Sequence, residues 1–133
     1  MKIIIMNNDN QKKKIKILIA EDEEFSNIYL SEVVKKISSE IFHAKSGTTT
    51  VEICKNNPDI DLILMDIRMP EMDGYEATLE IRKFNKDVII IAQTAYGLDR
   101  DMDKSIEVGC NNYIAKPIGK SKLLEMIGKY FTI

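Results

Sequence analysis

Residues 88–93 read VIIIAQ, the most continuous apolar run in a chain of 133 residues. A strand with one wet face would alternate apolar and polar side chains; this run does not. It fits a strand covered on both faces, as in a parallel sheet between two helical layers. Short apolar runs and longer amphipathic segments alternate outward from it. Toward the N-terminus, residues 74–84 suit a helix and 61–66 (DLILMD) a strand that follows the Asn57-Pro58 breaker. Residues 47–55 suit a short helix and 41–44 a short strand. Leu30, Val33, Val34 and Ile37 fall at i, i+3, i+4 and i+7, predicting a helix over 24–37, and Ile15–Ala20 (IKILIA) predicts the first strand. Toward the C-terminus, residues 98–108 suit a helix stopped by Gly109, followed by a last short strand over Asn112–Ala115. Leu123, Leu124, Ile127 and Phe131 stripe a closing helix.

Five strands and five helices in strict alternation imply right-handed crossovers, hence an α/β, doubly wound parallel sheet. The pattern alone leaves the strand order open. Ligands of such sheets bind at the carboxyl ends of the strands, near the point where strand order reverses. The informative residues are therefore those that close each strand.

Composition narrows the function. Apolar residues make up 44% and charged ones 30%, an ordinary globular balance for one domain. The 19 basic and 21 acidic residues leave a net charge of −2, which argues against a dedicated nucleic-acid module. No apolar run approaches the ~20 residues of a membrane span, and the N-terminal one is too short for a secretory signal. Cys54 and Cys110 show no metal spacing, and a reduced, cytoplasmic protein is expected. Residues 1–14, with the polar run NNDNQKKK, are expected to form a flexible tail, and 15–133 the folded unit.

Glu21 and Asp22 follow the first strand, Asp66 closes the third, Thr94 follows the fourth, and Lys116-Pro117 follows the fifth. Three carboxylates gathered at one edge repel one another unless a cation sits among them. Hard oxygen donors of this kind suit Mg²⁺. Lys116 adds a second positive charge and Thr94 a hydroxyl donor. A free carboxylate between two cations suits phosphoryl transfer, where positioning and charge neutralisation carry the catalysis and an aspartate can serve as nucleophile. Taken singly, each residue has a plainer reading: acids at a helix N-terminus favour the helix dipole, and a lysine before proline is an ordinary surface residue.

The stretches ILIAEDE (17–23), LILMDIRMPEMDGYEA (62–77), IIAQTA (90–95) and YIAKPI (113–118) closely resemble the receiver domain of bacterial two-component response regulators. The resemblance covers residues 15–131. It implies a flavodoxin-like (βα)5 sheet in strand order 2-1-3-4-5. It implies that Asp66 accepts a phosphoryl group from a phosphohistidine on a histidine kinase or histidine phosphotransfer domain, with self-catalysed dephosphorylation. Mg²⁺ would be held by Glu21, Asp22, Asp66 and the backbone carbonyl of Arg68. Lys116 would pair with the phosphoryl oxygens and Thr94 would hydrogen-bond one of them. Tyr113 falls on the family's aromatic switch position, and the Lys116–Pro117 bond is normally cis. The stretch from IAQTA to AKPI looks most like receivers of hybrid sensor kinases; the chain is expected to be either such a receiver or a stand-alone regulator.

Several residues depart from that pattern or compete with it. Glu21 is longer than the aspartate often found there. Gln93 stands where an aliphatic residue is usual, and a buried amide needs partners or costs about 1–3 kcal/mol. Arg68 and Tyr96 are expected to line the mouth of the site. His43, the single histidine, is expected to be structural, because it falls on a strand. SGTTT (46–50) reads as a helix N-cap, and IGKS (118–121) fails as a P-loop because Ile114 stands where its leading glycine belongs. An aspartyl phosphatase would want an acid where Arg68 stands. A receiver-like module that cannot be phosphorylated would lack an acid, Thr94 or Lys116, and all are present.

Overall fold

The computed structural model describes residues 13–95 and 99–133. The expected tail therefore lies outside the described residues except for Lys13 and Lys14, as does Tyr96. The Lys13 N–H donates to the Thr132 carbonyl, so the described chain begins and ends side by side.

Strands β1 (Ile15–Ala20), β2 (Ser38–Ala44), β3 (Leu62–Asp66), β4 (Ile89–Thr94) and β5 (Asn112–Ala115) alternate with helices α1 (Glu24–Val34), α2 (Gly47–Asn56), α3 (Gly74–Arg82), α4 (Asp99–Val108) and α5 (Lys120–Ile127). The strands form one sheet in the order β2-β1-β3-β4-β5, every pair parallel. The two-residue period of the strands divides the core. Leu18, Ile63, Met65, Ile90 and Ala92 face one side, against Cys54 of α2, Ala77 and Ile81 of α3 and Val108 of α4. Ile17, Ile19, Leu62, Leu64, Ile91 and Ile114 face the other, against Leu30, Val33 and Val34 of α1 and Leu123 and Ile127 of α5. Both faces of β3 and β4 are dry, which accounts for their unbroken apolar runs.

Boundaries moved where backbone geometry outweighs side-chain pattern. β2 begins at Ser38, three residues before its apolar stretch, because an edge strand is set by its ladder to β1 and not by burial on both faces. The helix expected over 24–37 ends at Val34 and continues as a 3-10 turn, Lys35–Ile37. α3 ends at Arg82, whose guanidinium ties three segments together. Its Nε donates to the Gly109 carbonyl at 2.9 Å, Nη1 to Val88 at 2.8 Å and Nη2 to Asn111 Oδ1 at 2.9 Å. Gly109 stops α4 with φ +118°, a left-handed backbone that favours glycine. Phe131 lies beyond α5 yet packs on the same core. Ser46 caps α2, its Oγ accepting from the Thr49 N–H at 3.1 Å.

Candidate active site at the carboxyl edge of the sheet

The acidic pair occupies the turn between β1 and α1, and both ends of that turn are fastened. The Glu21 N–H donates to the Ala44 carbonyl at 2.9 Å, and the Glu21 carbonyl accepts from Asn27 Nδ2 at 2.7 Å. The Glu23 side chain caps α1 by accepting from the Ser26 N–H at 2.9 Å. Glu21 is fully buried and Asp22 exposed.

Asp66 stands at the end of β3, 4% exposed, and its Oδ1 accepts from the Arg68 N–H at 3.3 Å. Gly74 explains how α3 can approach so closely: a Cβ there would lie 2.4 Å from the Asp66 carbonyl oxygen. The Gly74 N–H also donates to Ile67, which pins the start of α3 against the strand end. Thr94 closes β4, and the N–H of Lys116 donates to its carbonyl at 2.8 Å. The Lys116–Pro117 peptide is cis.

These strand ends bring the charges together. Lys116 Nζ lies 3.2 Å from Glu21 Oε1 and 3.4 Å from Asp66 Oδ2. One carboxylate oxygen from each of Glu21, Asp22 and Asp66 falls within 4.8 Å of the others. Burial, and then the charge and hydrogen bonding of Asp66, push the Glu21 carboxyl up to about 7, against the opposing pull of Lys116. Burial alone would lower the Lys116 ammonium; Asp66 and Glu21 outweigh it, and the net shift is upward. A compact acidic cluster in which one carboxyl is pushed up toward neutrality is short of positive charge. Its oxygen donors fit a small, hard divalent cation.

Thr94 is 2% exposed, and its Oγ1 has no hydrogen-bond partner among the described residues. It borders a cavity of about 240 Å³ shared with Arg68, Asp73 and Tyr75. A buried hydroxyl without a partner among the described residues, bordering an opening, has a hydrogen bond left to give. Tyr113 stands on β5 opposite Ala92, half-buried against the core on the α4 side.

Gln93 is 1% exposed, and both its amide atoms lack partners among the described residues, so the need for partners read from the sequence goes unmet there. His43 hydrogen-bonds Asn27 Oδ1 at 3.2 Å. Asn27 itself escaped the sequence reading, although one signal was available: a polar residue three positions before Leu30, on the stripe that faces the core.

The model of the response regulator receiver domain matches residues 17–128. The chain is 35% identical over 116 residues to chemotaxis protein CheY of Halobacterium salinarum, covering 87% of this chain and 96% of that protein. Among solved structures it is similar to the receiver domain of the response regulator Ssk1, in complex with the histidine phosphotransfer protein Ypd1 of Saccharomyces cerevisiae. That match has a TM-score of 0.84 and 32% identity and covers 91% of both chains. It is also similar to the receiver domain of sensor histidine kinase PA1611 from Pseudomonas aeruginosa, which holds a magnesium ion in its active-site cleft. There the TM-score is 0.78 and the identity 30%, over 88% of this chain and 97% of the other.

Proposed function

Because the chain belongs to the response regulator receiver domains of two-component and phosphorelay signalling, we propose that Asp66 is its phosphoacceptor and that the residues at the four other strand-end positions form its site. The observation that carries this is the meeting of Lys116 with buried Asp66 and Glu21, with the buried Thr94 hydroxyl at the end of the neighbouring strand.

An Asp66 carboxylate oxygen attacks the phosphorus of a phosphohistidine; the new P–O bond forms as the P–N bond breaks, and the imidazole leaves with its electron pair. Glu21, Asp22, Asp66 and the Arg68 backbone carbonyl would hold Mg²⁺, which when bound supplies the positive charge the cluster lacks. Lys116 balances charge on the transferred group, and Thr94 donates to one of its oxygens. Asp66, Glu21 and Lys116 already meet at one edge of the sheet, which supports a reaction carried by positioning and charge. Hydrolysis of the resulting acyl phosphate resets the protein.

The donor is a histidine phosphotransfer domain or histidine kinase. Phe25, Ile28 and Tyr29 stand exposed on α1 at 80%, 55% and 43%. Phe25 and Tyr29 line a cavity of about 420 Å³ that reaches Lys116 and Pro117. An apolar face beside the phosphoacceptor suits a helical partner presenting its histidine. The signal leaves through α4, β5 and α5: Thr94 shifts toward the phosphoryl group and Tyr113 turns inward, a two-state packing biased by a local charge. No helix among the described residues is long and apolar enough to cross a membrane.

Incubation with a small acyl phosphate and Mg²⁺ yields a single phosphoryl adduct, labile in base. It is absent in Asp66→Asn and in EDTA. With beryllofluoride in place of the phosphoryl group, amide exchange changes over residues 95–120. An adduct that survives Asp66→Asn refutes the phosphoacceptor; an unchanged exchange map refutes the Tyr113 switch alone.

A further inference from the structure

On the reading of the strand-end acids as a cation site, we propose that Asn27 and His43 are positioning residues for it, acting through the backbone of Glu21. Asn27 lies on the inner face of α1, 5% exposed, among Leu30, Val33 and Val34. Both ends of its side-chain amide are engaged. Nδ2 donates to the Glu21 carbonyl at 2.7 Å, and because a carbonyl can only accept, that contact decides which end of the amide faces Glu21. Oδ1 therefore faces His43 Nδ1, at 3.2 Å, and an amide oxygen can only accept. The proton of that bond sits on Nδ1. His43 Nε2 faces Ser31 Oγ at 3.5 Å, back on α1.

The neighbouring residue completes the arrangement. Ala44 accepts the Glu21 N–H at 2.9 Å, so the last two residues of β2 hold both backbone polar groups of Glu21, one directly and one through Asn27. The Glu21 carboxylate is buried and lies 3.2 Å from Lys116 Nζ, which also meets Asp66 at 3.4 Å, so its place depends on the turn that carries it. Held in place, it stays within 4.8 Å of its partners, ready to share a cation. Order in the metal-free turn is prepaid, and it should appear as metal affinity.

Magnesium titration calorimetry and phosphorylation by an acyl phosphate, both on the full chain, test this. Asn27→Ala should weaken Mg²⁺ binding about tenfold, at the lower end of the effect of groups that orient metal ligands. At saturating Mg²⁺ its phosphorylation rate should return to within about twofold of the parent, since only binding was lost. His43→Ala should weaken Mg²⁺ binding less, and His43→Gln should restore it, because a glutamine amide can donate to Asn27 Oδ1. His43 is exposed, so its variants carry the test even where Asn27→Ala fails to fold. Parental Mg²⁺ affinity in His43→Ala and in a folded Asn27→Ala, with only the melting temperature lowered, overturns the proposal. A parent chain that binds no Mg²⁺ overturns the cation site instead.

Discussion

Two lysines at opposite ends of the same sheet each meet two carboxylates, and only one of the two groups looks like a working site. Lys16, on β1 near the amino edge, pairs with Asp59 and, at 3.9 Å, with Glu40. Lys116, past the end of β5, lies 3.2 Å from Glu21 and 3.4 Å from Asp66. The lysine side chains are almost equally exposed, at 34% and 31%. The acids are not: Asp59 and Glu40 are 62% and 53% exposed, Glu21 and Asp66 0% and 6%. At the amino edge water screens each charge and the pairs only decorate the surface. At the carboxyl edge the same chemistry is desolvated and outnumbered by acid, and the shortage appears in the raised Glu21 carboxyl. Burial of the acids, not their pairing with lysine, marks the site.

Removing the lysine from the buried group should have the largest effect. Lys116→Ala takes away the ammonium next to both buried acids, a charge aimed at where the phosphoryl oxygens would develop theirs. The rate of phosphorylation by an acyl phosphate at saturating Mg²⁺ should fall on the order of 100-fold. A rate within a few-fold of the parent would mean that Lys116 only fills space, and the contrast between the two ends would lose its functional side.

Next comes the acid that holds a proton. Glu21 sits at about 7 in the folded chain against an ordinary 4.5. A carboxyl raised in this way binds its proton more tightly when folded. Its contribution to stability is complete below pH 4.5 and is lost as pH rises through about 7. Glu21→Gln mimics the protonated form at every pH. Without Mg²⁺ the variant should match the parent near pH 4 and exceed it by about 3 kcal/mol at pH 8, since each tenfold gain in proton affinity is worth about 1.4 kcal/mol. Urea unfolding across that range measures the difference. A variant that is uniformly weaker would show that the Glu21–Lys116 contact outweighs the crowding of acids. Saturating Mg²⁺ should narrow or reverse the gap, because only the ionised acid binds it.

The carboxyl-edge half of this contrast could be read before the fold was seen, for an identifiable reason. In a doubly wound sheet each strand ends at the same edge, so the residue closing each apolar run is placed by the period alone. Glu21, Asp22, Asp66, Thr94 and Lys116 were found that way. Backbone-governed features were not. β2 begins with Ser38, Ser39 and Glu40, which no apolar pattern reveals, because an edge strand needs its ladder more than burial. The partners of Asn27 are a carbonyl six residues away and an imidazole sixteen residues away. Neither separation has a motif, so its importance emerged only from geometry. Gln93 was legible as an anomaly, yet only the fold showed both its amide atoms without partners among the described residues.

The smallest effect belongs to the amino edge, and its smallness is what the contrast requires. Lys16→Met removes the charge that Asp59 and Glu40 share but keeps an unbranched apolar stem, so packing along β1 changes little. Both acids stay well hydrated, and water can take over the hydrogen bonds the ammonium made. The structural contacts of Lys16 with Asp61 belong to the backbone and survive the substitution: its N–H donates to Asp61 Oδ2 at 2.9 Å and its carbonyl accepts from the Asp61 N–H at 2.9 Å. Thermal unfolding should therefore shift by no more than about 2 °C, the scale of an exposed ion pair in a domain of this size. Mg²⁺ affinity and phosphorylation rate should stay at parental values. The screening length at physiological salt is about 8 Å, and the sheet separates the two edges by the length of its strands. A Lys16→Met protein with weakened Mg²⁺ binding would show that charge at one edge is felt at the other, and burial would then no longer account for why one lysine works and the other does not.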